Sequence, residues 1–489
     1  KMTNEHIDVL VVGAGISGIS AAHHLIENCP QKSFLILEGR ASIGGTWDLF
    51  KYPGIRSDSD MYTLGFSFRP WRDAKAIADG PAIMSYLQGA VDDDGLREKI
   101  RFSRKVTKAE WSTQRGLWTV TVHNDETAQD EVYTCNFVHL CTGYYNYEQG
   151  HRPDFPGEEN FKGPVIHPQF WPEDLDYENK KMLVIGSGAT AITLVPSLAK
   201  KAEKVTMLQR SPTYIVSMPA ENKIANWSRR NLPAQFAYGL TRWRNVIMNR
   251  IFFWCCRKFP TKAKEILLKG VRAQVPEGFD VEKHMTPTYK VWDQRVCLAP
   301  DGDFFAALRR GKADIVTDHI DTFTSHGVKL KSGEEIEAGI IVTATGLDLK
   351  FFGGVDIQVD NAPVLAKDTM TYKGMMFSGV PNLALSSGYT NASWTLKCDL
   401  TSAYVCRLLN HMDKKGYSHA RPEIDWTDMD VAPLLDFTSG YVVRKLDELP
   451  KQGKVTPWRL HQNYLLDIMM LRMGRVTDGM AFSRSDKSS

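Results

Sequence analysis

The chain has 489 residues, of which 43% are hydrophobic and 24% charged, with 60 basic against 57 acidic side chains. These are the proportions of a globular enzyme of several domains, and a net charge of +3 gives no electrostatic case for a nucleic-acid binder. The eight cysteines (29, 135, 141, 255, 256, 297, 398 and 406) include no CxxC pair and no Cys/His cluster of zinc spacing, so the sequence predicts no metal and a reduced, cytoplasmic setting.

Residues 7–12, IDVLVV, are a short apolar run ending at glycine, the pattern of a buried parallel strand. The polar MTNEHID leads straight into it, with no signal-peptide pattern. Helical periodicity follows from Ser17 to about Asn28, and a second strand, Phe34–Leu37, ends in Glu38. The turn between strand and helix reads Gly13-Ala14-Gly15-Ile16-Ser17-Gly18. In such a loop the first glycine makes the tight turn, the second admits a pyrophosphate to the backbone, and the third lets helix and strand touch. The helix N-terminus then directs N–H groups at the phosphates, and an acid at Glu38 accepts from ribose hydroxyls.

A β-rich stretch at about 101–142 follows, with two alternating runs in TKAEWSTQRGLWTVTVH and the strand NFVHLCTG. The βαβ pattern then returns at 182–209. Its loop is Gly186-Ser187-Gly188-Ala189-Thr190-Ala191, and its second strand ends in Arg210-Ser211 instead of an acid. An arginine there suits a 2′-phosphate and favours NADPH over NADH. Ser211 is read either as a phosphate contact or as the start of a turn before Pro212. GIIVTATG at 339–346 closes this half.

The predicted fold is α/β with two Rossmann-like dinucleotide-binding domains. The first is discontinuous, at 1–150 and 346–489, with the polar tail SRSDKSS disordered. The second spans 151–345 and carries a helical insert at about 217–290. Within it, Phe236 to Val275 is apolar, aromatic and basic, and Asn249 and Arg250 interrupt its longest apolar run, which falls short of a membrane span. Two readings stand for this insert: helices packed on the nucleotide domain, or a surface that makes peripheral contact with a membrane.

Two longer motifs are more specific than either glycine loop. Residues 161–172, FKGPVIHPQFWP, match an FxGxxxHxxxWP pattern at Phe161, Gly163, His167, Trp171 and Pro172. Residues 44–58, GGTWDLFKYPGIRSD, match GGxWxxxxYPGxxxD from Gly44 and Gly45 to Asp58. On these residues the chain, from about 7 to about 470, resembles the Baeyer–Villiger monooxygenases, a class B flavoprotein family.

The resemblance implies FAD at the first loop, with Gly45, Thr46, Trp47 and Asp58 beside it, and NADPH at the second. It implies that NADPH reduces FAD, that dioxygen then gives a flavin C4a-peroxide, and that this oxidant converts a ketone to an ester or lactone. The same oxidant, when protonated, oxygenates sulfides or thioamides. The family's arginine that stabilises the anionic oxidant matches Arg295, and the aspartate that orients it matches Asp58. Many members have a lysine just before that arginine, where it helps hold the 2′-phosphate. This chain has Gln294, which leaves more of that task to Arg210. His167 is implied to lie on the hinge between the domains. Trp394 and Trp458 each border the nicotinamide or substrate, or belong to the aromatic core. The implied partners are a small ketone or sulfide and dioxygen, and the oligomeric state is not legible.

Two neighbouring enzyme classes compete. Flavin-containing monooxygenases restricted to N- and S-oxidation share FxGxxxH but usually lack the WP ending and the Asp/Arg pair. Disulfide reductases share the two-dinucleotide plan but need a redox cysteine pair, which this sequence lacks.

Overall fold

The computed structural model describes residues 5–427, 429–435 and 440–485. The last four residues of the predicted disordered tail lie outside them. Two sheets organise the fold. In the first, the apolar strand Glu5–Val12 lies between Phe34–Leu37 and Gln129–Leu140, parallel to both. Both faces of Glu5–Val12 are covered, so its last four residues, Leu10, Val11 and Val12 among them, are all buried. The β-rich stretch continues this sheet as an antiparallel ribbon, Arg104–Ser112 and Leu117–Asn124, with Trp111 opposite Trp118. Strands from the far end of the chain complete it: Asp356–Val359 beside Arg104–Ser112, and Leu383–Leu385 beside Gln129–Leu140.

The second sheet has five strands, all parallel where they pair, in the order Ala313–Thr317, Lys204–Gln209, Lys181–Ile185, Ile340–Thr343 and Val165–Ile166. Its first crossover is the helix Ala189–Leu198. Each sheet thus repeats strand, glycine turn, helix and strand, and each buries its own apolar cluster. The long helix Trp394–Lys415 packs on Ile16–Asn28, which places C-terminal residues over the first glycine loop.

The insert is helical: Lys223–Asn231, Ala234–Lys258, Pro260–Arg272 and Val281–Met285. Its longest helix crosses to the first half of the molecule. Arg242, buried, donates to the carbonyls of Tyr62 (2.8 Å) and Gly65 (2.7 Å), and the Tyr238 hydroxyl donates to that of Phe66 (2.8 Å). Tyr62 lies within the short helix Met61–Leu64 and Gly65 and Phe66 directly after it, so these donors satisfy oxygens that the helix end leaves open.

A buried histidine in the first sheet sets part of the acid stability. His139 is 1% exposed, its Nε2 lies 2.9 Å from the Ser386 hydroxyl, and burial pushes its pKa down to about 3. The folded state therefore holds it neutral, whereas the unfolded chain protonates it below an ordinary pKa of about 6.5. Its contribution is complete above that value and is lost as pH falls towards the folded pKa, at about 1.4 kcal/mol per pH unit. Denaturant titrations at neutral pH and near pH 5 should show wild type losing about 2 kcal/mol more than His139→Gln.

Candidate functional site: two glycine loops and an arginine–aspartate bridge

The glycines of the first loop divide into two kinds. A side-chain carbon at Gly18 would overlap the Gly13 carbonyl oxygen, so this position holds helix and strand together. At Gly15 the nearest atom to such a carbon is the Gly45 Cα at 3.6 Å, an ordinary contact. The second loop repeats the division. Gly186, at φ +134°, abuts the Ala344 carbonyl, whereas a carbon at Gly188 would meet nothing within 4 Å. The middle glycine of the second loop thus borders open space, whereas that of the first packs at ordinary contact distance on Gly45.

Both helices start on these glycines without a side-chain cap, Ile16–Asn28 at Gly15 and Ala189–Leu198 at Gly188. By contrast, Asp79 caps Gly80–Asp93 by accepting from the Ala82 N–H. The uncapped N–H groups and the positive end of each helix dipole form an anion-binding mouth. The residues present therefore fit two dinucleotide pyrophosphates.

Glu38 lies where the sequence places it, after the second strand and beneath the first loop. It is buried, and its two carboxylate oxygens accept from the backbone N–H groups of Ala14 (2.6 Å) and Arg40 (2.8 Å). Burial raises its pKa, and the two N–H bonds act against that rise. It thus fixes the loop backbone. Ser17 is buried on the first helix and accepts from the indole N–H of Trp394 at 2.8 Å. Gly44 donates to the Ala14 carbonyl (3.0 Å), which sets Gly45, Thr46 and Trp47 beside the first loop. The Tyr147 hydroxyl bonds to Thr46, and Trp47 packs against the core.

At the second loop the Ser187 hydroxyl donates to the Ser211 carbonyl at 3.0 Å, tying Gly186–Gly188 to the end of the next strand. Arg210 and Ser211 are exposed there, and Arg210 makes no hydrogen bond or ion pair among the described residues. Gln209, one residue earlier, is instead consumed by the fold, donating to the His284 carbonyl (2.7 Å) and the Thr317 hydroxyl (2.9 Å).

The two halves meet through the GGxW segment. The Tyr52 hydroxyl bonds to Thr190 on the second helix, and a side chain at Gly54 would strike Ser197 on the same helix. Asp58, a few residues on, forms a bidentate pair with Arg295: Nη2 to Oδ1 at 3.0 Å and Nε to Oδ2 at 3.0 Å. Both side chains are about one-third exposed, so the pair sits at the rim of open space. Fork-to-fork pairing of this kind fixes the guanidinium plane as well as its position.

What places Arg295 is the loop before it. Trp292 takes φ +73°, a left-handed conformation rare for a bulky residue. Its ring is held edge-on by Phe252 and Phe253 of the long insert helix, at 6.4 and 5.5 Å. Asp293 pairs with Arg257 at 2.7 Å and accepts from the Lys290 N–H. The insert therefore clamps the loop that presents Arg295. Gln294 lies in this loop as a half-buried neighbour of Arg295.

Tyr144, which motif reading missed, joins these parts. It is half-buried, its ring lies 5.0 Å from Trp394, and its hydroxyl is 3.1 Å from that of Tyr145. Burial and Tyr145 push the phenol up, and Arg295 acts against that. The only sequence signal was the aromatic run Tyr144-Tyr145 directly after the strand's CTG. Of the two tryptophans left open, Trp394 stands at the first glycine loop, whereas Trp458 is buried against Tyr372 in the core.

His167 is away from this centre. Its Nδ1 accepts from the Gln169 N–H (3.2 Å), so Nε2 carries the proton and donates to the Gly346 carbonyl (3.2 Å). Burial lowers its pKa, which keeps the ring neutral in this role. It ties the 161–172 segment to the strand returning at 346. Phe161 and Trp171 are buried packing residues, against Phe323 and Tyr177.

The chain is similar to known proteins along its whole length. A family model described as Flavin-binding monooxygenase-like matches residues 6–228. The FAD-containing monooxygenase EthA of Mycobacterium tuberculosis (strain ATCC 25618 / H37Rv) is 54% identical over 482 residues, covering 98% of each chain. Among solved structures, oxidized steroid monooxygenase bound to NADP superposes with a TM-score of 0.77 at 22% identity, covering 98% of this chain and 100% of that one. OTEMO complexed with FAD and NADP gives a TM-score of 0.74 at 20% identity, covering 98% and 100%. The near-complete match to EthA settles what the glycine loops alone left open between several flavoenzyme classes: the chain belongs to the flavin-binding monooxygenase-like family.

Proposed function

We propose that this protein is an NADPH- and dioxygen-dependent FAD monooxygenase that oxidises ketones to esters or lactones, and that it also oxygenates sulfides. The observation that carries the proposal is the Arg295–Asp58 bridge between the flavin-side segment and the loop after the insert. Gly13, Gly15, Ser17, Gly18 and Glu38 hold the FAD pyrophosphate and ribose, with Gly45, Thr46 and Trp47 closing over it. Gly186, Ser187, Gly188, Ala189 and Thr190 hold the NADPH pyrophosphate, and Arg210 with Ser211 meets the 2′-phosphate. When bound and reduced, FAD supplies the activation of dioxygen.

The protein's own contribution is charge, placement and dryness. Arg295 offers a fixed cation to the negative charge that develops when an oxygen nucleophile meets a carbonyl. Asp58 holds the guanidinium in plane, so little reorganisation is needed during reaction. The Tyr144 and Trp394 rings, 5.0 Å apart, line the side of this site towards the first loop, where the Trp394 indole donates to Ser17, and reduce the water that reaches it.

The test is a panel of linear ketones and sulfides turned over with NADPH, with products identified by mass spectrometry. Esters from ketones support the reading. Sulfoxides without any ester would restrict the enzyme to N- and S-oxidation. A second measurement concerns cofactor choice. Arg210→Ala should cut the NADPH-over-NADH ratio of kcat/KM about tenfold, since a charge-assisted contact contributes about 1.5–3 kcal/mol. An unchanged ratio would move the phosphate contact elsewhere.

A further inference from the structure

The helix Ala234–Lys258 carries two apolar faces, and only one of them is covered. Its buried face, with Ala237, Tyr238, Thr241 and Arg242, lies on the body of the protein. On the opposite side, Phe236, Leu240, Trp243, Ile247, Ile251 and Trp254 follow one another at three- and four-residue steps. They form a single stripe exposed along its length, with Phe236 at 62%, Trp243 at 44% and Trp254 at 47%. A globular protein rarely shows solvent a continuous apolar stripe six side chains long.

Charge says what covers it. From Lys223 to Arg272 the insert holds twelve lysines and arginines against one acid, Glu265, although the whole chain balances 60 against 57. Several of these cations flank the stripe itself. Lys258 stands over the Trp254 ring at 4.6 Å, and Arg250 over Phe253 at 5.7 Å. Tryptophan and phenylalanine bordered by lysine and arginine are the side chains that settle at a lipid headgroup boundary. A second copy of the chain fits poorly, because a two-fold contact would bring two strongly cationic faces together. Among the described residues no helix is long and apolar enough to cross a bilayer, so contact would be along the surface.

We infer that this face of the insert docks the enzyme flat on an anionic lipid surface, the aromatic stripe entering the headgroup layer and the lysines and arginines meeting lipid phosphates. The inference stands apart from the ketone reading, because it uses no residue assigned to cofactor or reaction. A small cleft opens beside the stripe, lined by Val246, Phe253, Leu396 and Tyr464. Docking holds its mouth at the lipid boundary.

The test is flotation of the full-length, FAD-loaded protein with phosphatidylcholine vesicles, with and without phosphatidylglycerol. Phosphatidylglycerol should raise the bound fraction, and added salt should reverse the gain. Lys258→Glu with Lys262→Glu should weaken binding at least about fivefold for each charge lost near the surface. Trp243→Ser with Ile247→Ser and Trp254→Ser should abolish flotation with the cations intact, while the thermal midpoint and NADPH oxidation stay unchanged. Absence of binding to phosphatidylglycerol vesicles would overturn the inference, as would a serine variant that floats like wild type. So would a wild-type dimer that the serine variant converts to monomer without lipid.

Discussion

Arg295→Ala is expected to lower ketone turnover about 10²–10³-fold, the loss seen when one preorganised charge partner of a reacting oxygen is removed. FAD content and thermal midpoint should stay at wild-type values. The pair it forms with Asp58 is one-third exposed, and ion pairs open to water stabilise little. Arg295→Lys should recover only part of the activity, since an ammonium lacks the planar two-nitrogen fork that meets the two Asp58 oxygens at 3.0 Å each. Asp58 acts through Arg295, so Asp58→Asn should cost less, about 10–100-fold. Its loss should appear in kcat for ketones more than in KM for NADPH. Steady-state kinetics on the three variants, with peroxide release measured alongside, check this. Ketone turnover that survives Arg295→Ala would remove the arginine from the mechanism.

The two loops should respond in opposite ways to the same small change. Gly18→Ala forces a carbon into the Gly13 carbonyl, which is backbone and cannot swing aside. Overpacking of this kind costs about 1–3 kcal/mol or more, and here it opens the loop that carries FAD. The purified variant should be nearly colourless and melt lower. Gly188→Ala adds a carbon where nothing lies within 4 Å, so fold and flavin content should be untouched. Its KM for NADPH should nevertheless rise at least about tenfold, because the added methyl occupies the approach to the uncapped helix end. Flavin absorbance, melting curves and NADPH kinetics separate the outcomes. A Gly188→Ala enzyme with wild-type KM would show that the open space is not where the pyrophosphate lies.

The parts of this molecule legible in its sequence are those governed by local rules. The strand Phe34–Leu37 falls where its apolar run begins and ends, because a doubly covered strand tolerates little else. The helix Ala189–Leu198 starts at the residue after Gly188, because the glycine turn fixes it. Arg295 and Asp58, 237 residues apart, were paired only through a family pattern, since nothing local requires them to meet.

What sequence reading missed depends on distant packing. The left-handed Trp292 carries no local turn signal, and its conformation is held by Phe252 and Phe253 from another element. Trp394 and Trp458 look alike as aromatic residues in polar loops. Only the packing of Trp394–Lys415 on the first helix separates the indole at the glycine loop from the one in the core. The anchoring of the insert by Arg242 was equally hidden, because a buried arginine bonded to carbonyls cannot be told in sequence from its exposed neighbours.

The most direct test of the whole account is one turnover experiment with a linear ketone, NADPH and isotopically heavy dioxygen. Wild type should yield an ester carrying one heavy oxygen, and Arg295→Ala, with full FAD content, should consume NADPH while forming at least about 10²-fold less of it. An ester lacking the label, or labelled ester formed equally well by Arg295→Ala, would contradict the assignment.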